Sequence, residues 1–257
     1  MVAASVASQR ESSRLFYVWM AAACALVAFG GFAPTYWAQV PAGTFVGPPL
    51  LHMHAALFSA WSIFLFSQAS LAANGRLSDH RAWGLVGIAL ATAMVVFGFA
   101  VAILSLQHGI AVGYGDRARS FFIVPVTAIA MFAGFFIAAI CNIGRPEWHK
   151  RFILLATIAL LAAPVARIFF VIATGGGPGA RPGLAMPPPV SRAIIQGLLV
   201  EVLAVAGALY DWRKRGKPHP TWLIGATVQT LVVLVRVPIS TTSWWLTIAD
   251  AASRIAG

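Results

Sequence analysis

The chain has 257 residues, of which 60% are hydrophobic and 10% charged, with a formal net charge of +11. Soluble domains are about half apolar and a quarter charged, so these charges are too few to cover a soluble surface of this size; a mean hydropathy of +0.83 agrees. The basic residues fall in short stretches between apolar runs, which argues against a nucleic-acid groove and points to a lipid bilayer as the main partner.

A spanning helix needs about 20 apolar residues. Seven such runs predict an all-α, polytopic membrane bundle, read as a single domain over 1–257, with helices near 15–37, 50–73, 82–106, 120–142, 152–173, 193–211 and 221–247. The first run follows Arg10 and Arg14 but outlasts a signal-peptide core of roughly 7–15 residues, so it is expected to stay as a span. Cys24 and Cys141 both lie within apolar runs and read as small buried hydrophobes.

Loop charges set the expected orientation. With the N-terminus inside, the inner side holds Arg10, Arg14, Arg76, Arg81, Arg145, Lys150, Arg151, Arg213, Lys214, Arg215 and Lys217. The outer side holds Arg117, Arg119, Arg181, Arg192 and Arg254, so the count is eleven against five. The positive-inside rule then places the N-terminus inside and, after seven spans, the C-terminus outside a bacterial inner membrane. Trp244 and Trp245 suit an outer aromatic belt. The Gly/Pro-rich stretch 174–189 precludes regular structure and reads as an outer linker, with a flexible cap over one face as the alternative.

The histidines divide between the two faces. Pro48 and Pro49 start the second helix just before LHMH, at His52 and His54. Positions two apart on a helix point about 200° away from each other, so one of the pair, His54, is expected to face the bundle. His80 is expected just before the third helix, with Gly84 and Gly87 on its face, where small residues let a helix or a flat cofactor approach. His108 is placed just beyond the end of that helix. His149 and Arg167 are eighteen residues apart, five turns of one face, and Pro164 should kink the helix between them.

Glu201 and Arg236 are charges inside apolar runs. Each costs about 2.5–3.5 kcal/mol to insert and normally faces the bundle interior with a partner. The expectation is that Glu201 pairs with Arg236 or Arg167, with Gln196 and Gln229 extending the polar cluster. A structural pairing that sets helix register accounts for the same residues without a ligand.

His54, the HRAWG stretch from His80 to Gly84, and the WHKRF stretch from Trp148 to Phe152 closing at Arg167 resemble a family of bacterial multi-pass membrane proteins of unknown function. The resemblance covers roughly 50–170 and implies a fold and a set of important positions, with no activity attached. A weaker resemblance is to transmembrane b-type cytochromes, which hold heme between helices by paired histidines. It implies heme b, with His80 and His149 as ligands on one side and His54 and His108 on the other, Gly84 and Gly87 beside the cofactor, and electron exchange with quinone or a redox protein.

The residues support three functional expectations. The first is a heme-b electron-transfer protein, with a variant placing a metal at His52, His54 and His108 near Asp116. The second is a transporter or a small-molecule- or lipid-binding protein using Arg167, Gln196, Glu201, Gln229 and Arg236. The third is a non-catalytic accessory or assembly subunit. The chain has no phosphate loop, dinucleotide glycine pattern, nucleophile elbow or HExxH.

Overall fold

The computed structural model describes the backbone of residues 2–176 and 184–255 and the side chains from residue 15 onward in those stretches. Arg181, the central part of the Gly/Pro-rich stretch, and the side chains of Arg10 and Arg14 lie outside the described residues. Helices account for nearly all of the rest, and seven segments are long and apolar enough to cross a membrane. Helix α1 is Val2–Phe32, followed by a π-helical turn, Ala33–Trp37. Then come α2 (Pro49–Ala73), α3 (Leu77–Ala111), α4 (Asp116–Phe121), α5 (Ile123–Cys141), α6 (Pro146–Leu160), α7 (Ala162–Thr174), α8 (Ala193–Arg215), α9 (Pro220–Ile239) and α10 (Ser243–Ser253).

Local chemistry sets the boundaries. Proline opens α2, α6 and α9 at the first turn, where its missing N–H is no loss. Gly175 and Gly216 stop α7 and α8 with φ of 76° and 73°, a left-handed cap that glycine adopts without a Cβ clash. Pro164 cannot donate to the Leu160 carbonyl, so the fifth span breaks as expected. The Leu161 N–H reaches back only three residues, to the Ile158 carbonyl at 3.0 Å, and separates α6 from α7. Gly31 of α1 lies against Pro164, where a Cβ would collide with the proline.

Several boundaries differ from the expected ones. Helix α3 extends a turn or more at each end, so His80 lies in its first turn and His108 in its last. Helical hydrogen bonding continues through polar flanks where apolar run length stops. The seventh span ends at Ile239 rather than 247, because Pro238 and the Ser240–Thr242 turn interrupt it. Beyond that turn the chain forms α10, packed on α3 and α4. Trp245 is accordingly buried, and its indole N–H donates to the Arg119 carbonyl at 3.0 Å; only Trp244 is exposed as a belt residue would be. Cys24 is buried as expected, whereas Cys141 is exposed at the end of α5.

Helix α6 packs against α1, α5, α8 and α9. Its residues Leu154, Leu155, Ala156 and Ile158 are almost wholly enclosed, as expected of a helix surrounded by others. Leu26, Leu85 and Ile172, each about three-quarters exposed, belong to the apolar outer belt that faces lipid.

The α2–α3, α5–α6 and α8–α9 connections all lie at one end of the bundle, together with most loop arginines and lysines. At this basic end, Arg151 is fully buried and grips Asp211 with two hydrogen bonds, at 2.8 and 2.6 Å. Glu147 takes hydrogen bonds from Arg151 at 2.8 Å and Lys150 at 2.7 Å, and pairs with Arg215. The Tyr17 ring lies under the Lys150 ammonium, 4.2 Å from its centroid. This network ties α1, α6 and α8 together.

Candidate functional site

At the opposite end, a cavity of about 480 Å³ runs from the helix termini into the middle of the bundle. That volume lies in the range of small-molecule sites. Its walls are mostly apolar and aromatic, with Phe32, Phe58 and Phe122 among them. Met186 and its neighbours, at the end of the Gly/Pro-rich stretch, also face it, so this segment does more than connect two helices.

All five members of the anticipated polar cluster, Arg167, Gln196, Glu201, Gln229 and Arg236, line this one cavity. They come from α7, α8 and α9. The expected ion pair, however, is not formed. Both Glu201 carboxylate oxygens are buried without a hydrogen-bond partner. The Arg236 guanidinium instead donates to the Ala193 carbonyl at 3.0 Å, leaving its Nε unsatisfied.

Helix geometry explains the separation. Ala193 and Glu201 are eight residues apart on α8, about 12 Å along its axis. Helix α9 runs antiparallel to α8, and Gly197 of α8 is in register with Val233 of α9. That register sets Gln229 level with Glu201 and carries Arg236 two turns away. Glu201, Gln229 and Arg236 are 8%, 2% and 3% exposed, and each has a buried polar atom with no partner. Arg167, half-buried, has its guanidinium 5.7 Å from the Phe32 ring centroid. Such groups are expensive to leave unmatched inside a bundle.

The histidines divide between the cavity and the basic end. His52 is exposed and shares a hydrogen bond with the Tyr36 hydroxyl at 2.9 Å, while His54, two residues on, faces the cavity. His108 lines the same cavity. Arg167 and His54 line this cavity together. At the basic end the His80 and His149 ring centroids are 6.3 Å apart, edge to face. His149 Nδ1 donates to the Ala139 carbonyl at 2.9 Å. The hollow at Gly87 is taken by the Phe64 ring, where an added Cβ would meet it at 2.7 Å, whereas Gly84 has open space beside it.

The alternative metal set does not assemble. His52 turns away from His54, and Asp116 pairs with Arg119 at 3.1 Å. Among the described residues, no three His, Cys, Asp or Glu side chains converge as metal ligands.

Two features are hard to read from the sequence. Arg151 and Asp211 look like flanking charges there, because each sits next to a basic run at a helix end. The i, i+4 spacing of Glu147 and Arg151, on the face that continues to Leu155 and Ile158, is the available signal. Thr157 accepts a hydrogen bond from the Trp61 indole at 3.1 Å and joins α2 to α6 beside the cavity; nothing in the sequence singles it out.

No protein-family model matches the chain, and no curated protein or solved structure matches it. The architecture is that of a multi-pass helical membrane protein.

Proposed function

We propose that this membrane protein binds an amphipathic small molecule in the cavity between α2, α3, α7, α8 and α9, as a carrier or binding protein. One observation carries the reading: Glu201, Gln229 and Arg236 are more than nine-tenths buried, line one cavity and retain unpaired polar atoms. Were the cluster there only to set helix register, its charges should pair with one another. They face a shared space instead, where a ligand's polar groups can complete them while its apolar body meets the aromatic walls. The basic end faces the cytoplasm of a bacterial inner membrane in this reading, with the cavity opening on the other side.

The test is native mass spectrometry of the protein extracted directly from membranes into nanodiscs. A co-purifying amphiphile of defined mass is expected, with occupancy reduced by Arg236→Gln and by Glu201→Gln. An empty protein whose thermal stability is unmoved by any amphiphile tried would refute the reading.

A second reading, a b-type heme, is favoured by the His80–His149 juxtaposition and by the carbonyl that orients His149, as hydrogen-bond acceptors behind ligand histidines do. Phe64 in the hollow at Gly87 counts against a flat cofactor on that side of the pair. His80 and His149 would hold the iron, which supplies one-electron chemistry when bound. An absorption spectrum before and after dithionite reduction decides it: sharp reduced α and β bands support heme, and a colourless protein made with ample heme excludes it.

A further inference from the structure

Resting on the ligand-binding reading, we propose that the ligand is an elongated molecule polar at both ends: an anionic head at Arg167 and Arg236, and at the other end a group that donates a hydrogen bond to Glu201, beside Gln229. Arg236 and Glu201 line the same cavity but are separated by about two turns of α8, roughly 12 Å. Arginine offers only donors, and its planar fork matches a carboxylate or phosphate. Arg236 keeps Nε unfilled after its bond to the Ala193 carbonyl, and Arg167 reaches the cavity from the facing helix α7.

The deep pole has the opposite character. Both Glu201 oxygens are unmatched, and carboxyl oxygens accept hydrogen bonds. Gln229 is level with it and has an unpaired Nε2, which donates, so a terminal hydroxyl can give its proton to Glu201 and accept from Gln229. A simple fatty carboxylate would satisfy the arginines and leave Glu201 facing methyl groups. A hydroxyl or amine at the far end would give Glu201 the donor it lacks. Phe58 and Phe122 line the same cavity and suit a hydrocarbon middle. The chemistry calls for a chain-like carboxylate or phosphate whose other end bears a hydroxyl or an amine.

Binding of decanoate, ω-hydroxydecanoate and ω-aminodecanoate to the nanodisc-embedded protein tests this, with ω-hydroxyhexanoate as a chain too short to bridge the poles. A hydrogen bond to a charged group is worth roughly tenfold or more in affinity. The ω-substituted decanoates are therefore expected to bind at least about tenfold tighter than decanoate, and the short chain to show no gain. Glu201→Gln should abolish that preference, and Arg236→Gln should weaken all the carboxylates alike. Arg236→Lys, which keeps the charge, should restore part of the binding and shows that the site is still folded. Equal affinity of decanoate and its ω-derivatives would overturn the two-ended ligand while leaving amphiphile binding in place. Failure of every chain to bind would remove both.

Discussion

Removing either partner of the Arg151–Asp211 pair strands a charge in a place water does not reach. The two side chains are 0% and 1% exposed and meet through two short hydrogen bonds. Breaking a buried pair from one side costs about 3–5 kcal/mol. The surroundings predict which side costs more. In Asp211→Asn, Arg151 keeps the Glu147 carboxylate at 2.8 Å and the Glu147 carbonyl at 2.6 Å, so the loss should lie near the lower end, about 3 kcal/mol. In Arg151→Met, Asp211 keeps, among the described residues, only Arg215, 3.9 Å away on a side chain 42% exposed, so the loss should approach about 5 kcal/mol. The double variant Arg151→Met/Asp211→Leu strands no charge and should recover most of the loss. Unfolding by dodecyl sulfate in mixed micelles, followed by tryptophan fluorescence, measures all three. The reasoning fails if Asp211→Asn is the more damaging single change, or if the double variant is as unstable as the worse single one.

Further expectations concern other parts of the bundle. His219 caps α9 by accepting from the Thr221 N–H at 3.3 Å, and His219→Ala should cost about 1 kcal/mol in the same assay. Burial, reinforced by the nearby Arg151, holds the His219 imidazole below its ordinary value of 6.5. Its cap therefore contributes fully above that pH and is lost as pH falls through the folded-state value; a His219→Asn variant should show a flatter acid limb. Gly207→Ala drives a Cβ into the Trp222 ring and should cost about 1–3 kcal/mol, whereas Gly84→Ala meets open space and should be neutral or slightly stabilising. Asp250→Asn weakens the 2.6 Å bond from Arg119 that holds α10, so hydrogen exchange should quicken across 243–253 and remain unchanged in α6. Alkaline phosphatase fused after the last residue should be active in a bacterial host, and one inserted at 142–145 inactive, if the basic end faces the cytoplasm.

Seven spans were legible in the sequence because membrane helices announce themselves by length and apolarity. The cavity residues were legible for the same reason: a charge or amide inside such a run has few places to go. How those charges would meet was not. Pairing depends on the register of α8 against α9, which turns on Gly197 meeting Val233 and on the axial level of each side chain. Neither can be read from depth in the membrane alone. The interruption at Ser240–Thr242 was hidden because Trp244, Trp245 and Leu246 continue the apolar run while the backbone turns. Arg151 and Asp211 were masked by neighbours that made them look like ordinary flanking charges.

The buried pair at the basic end also bears on how the chain is made. Arg151 and Asp211 lie on successive spans, the fifth and the sixth, which reach the membrane one after the other. Each carries a cost to insertion that its partner offsets. A hairpin of these two spans can close that bond as soon as the sixth emerges, before α9 arrives to pack against both. The fifth span would then enter the bilayer as half of a matched pair. Replacing Asp211 should show up in the cell first as poor insertion of the span before it, detectable as a glycosylation or protease-protection defect at 142–145 even when α8 itself integrates normally.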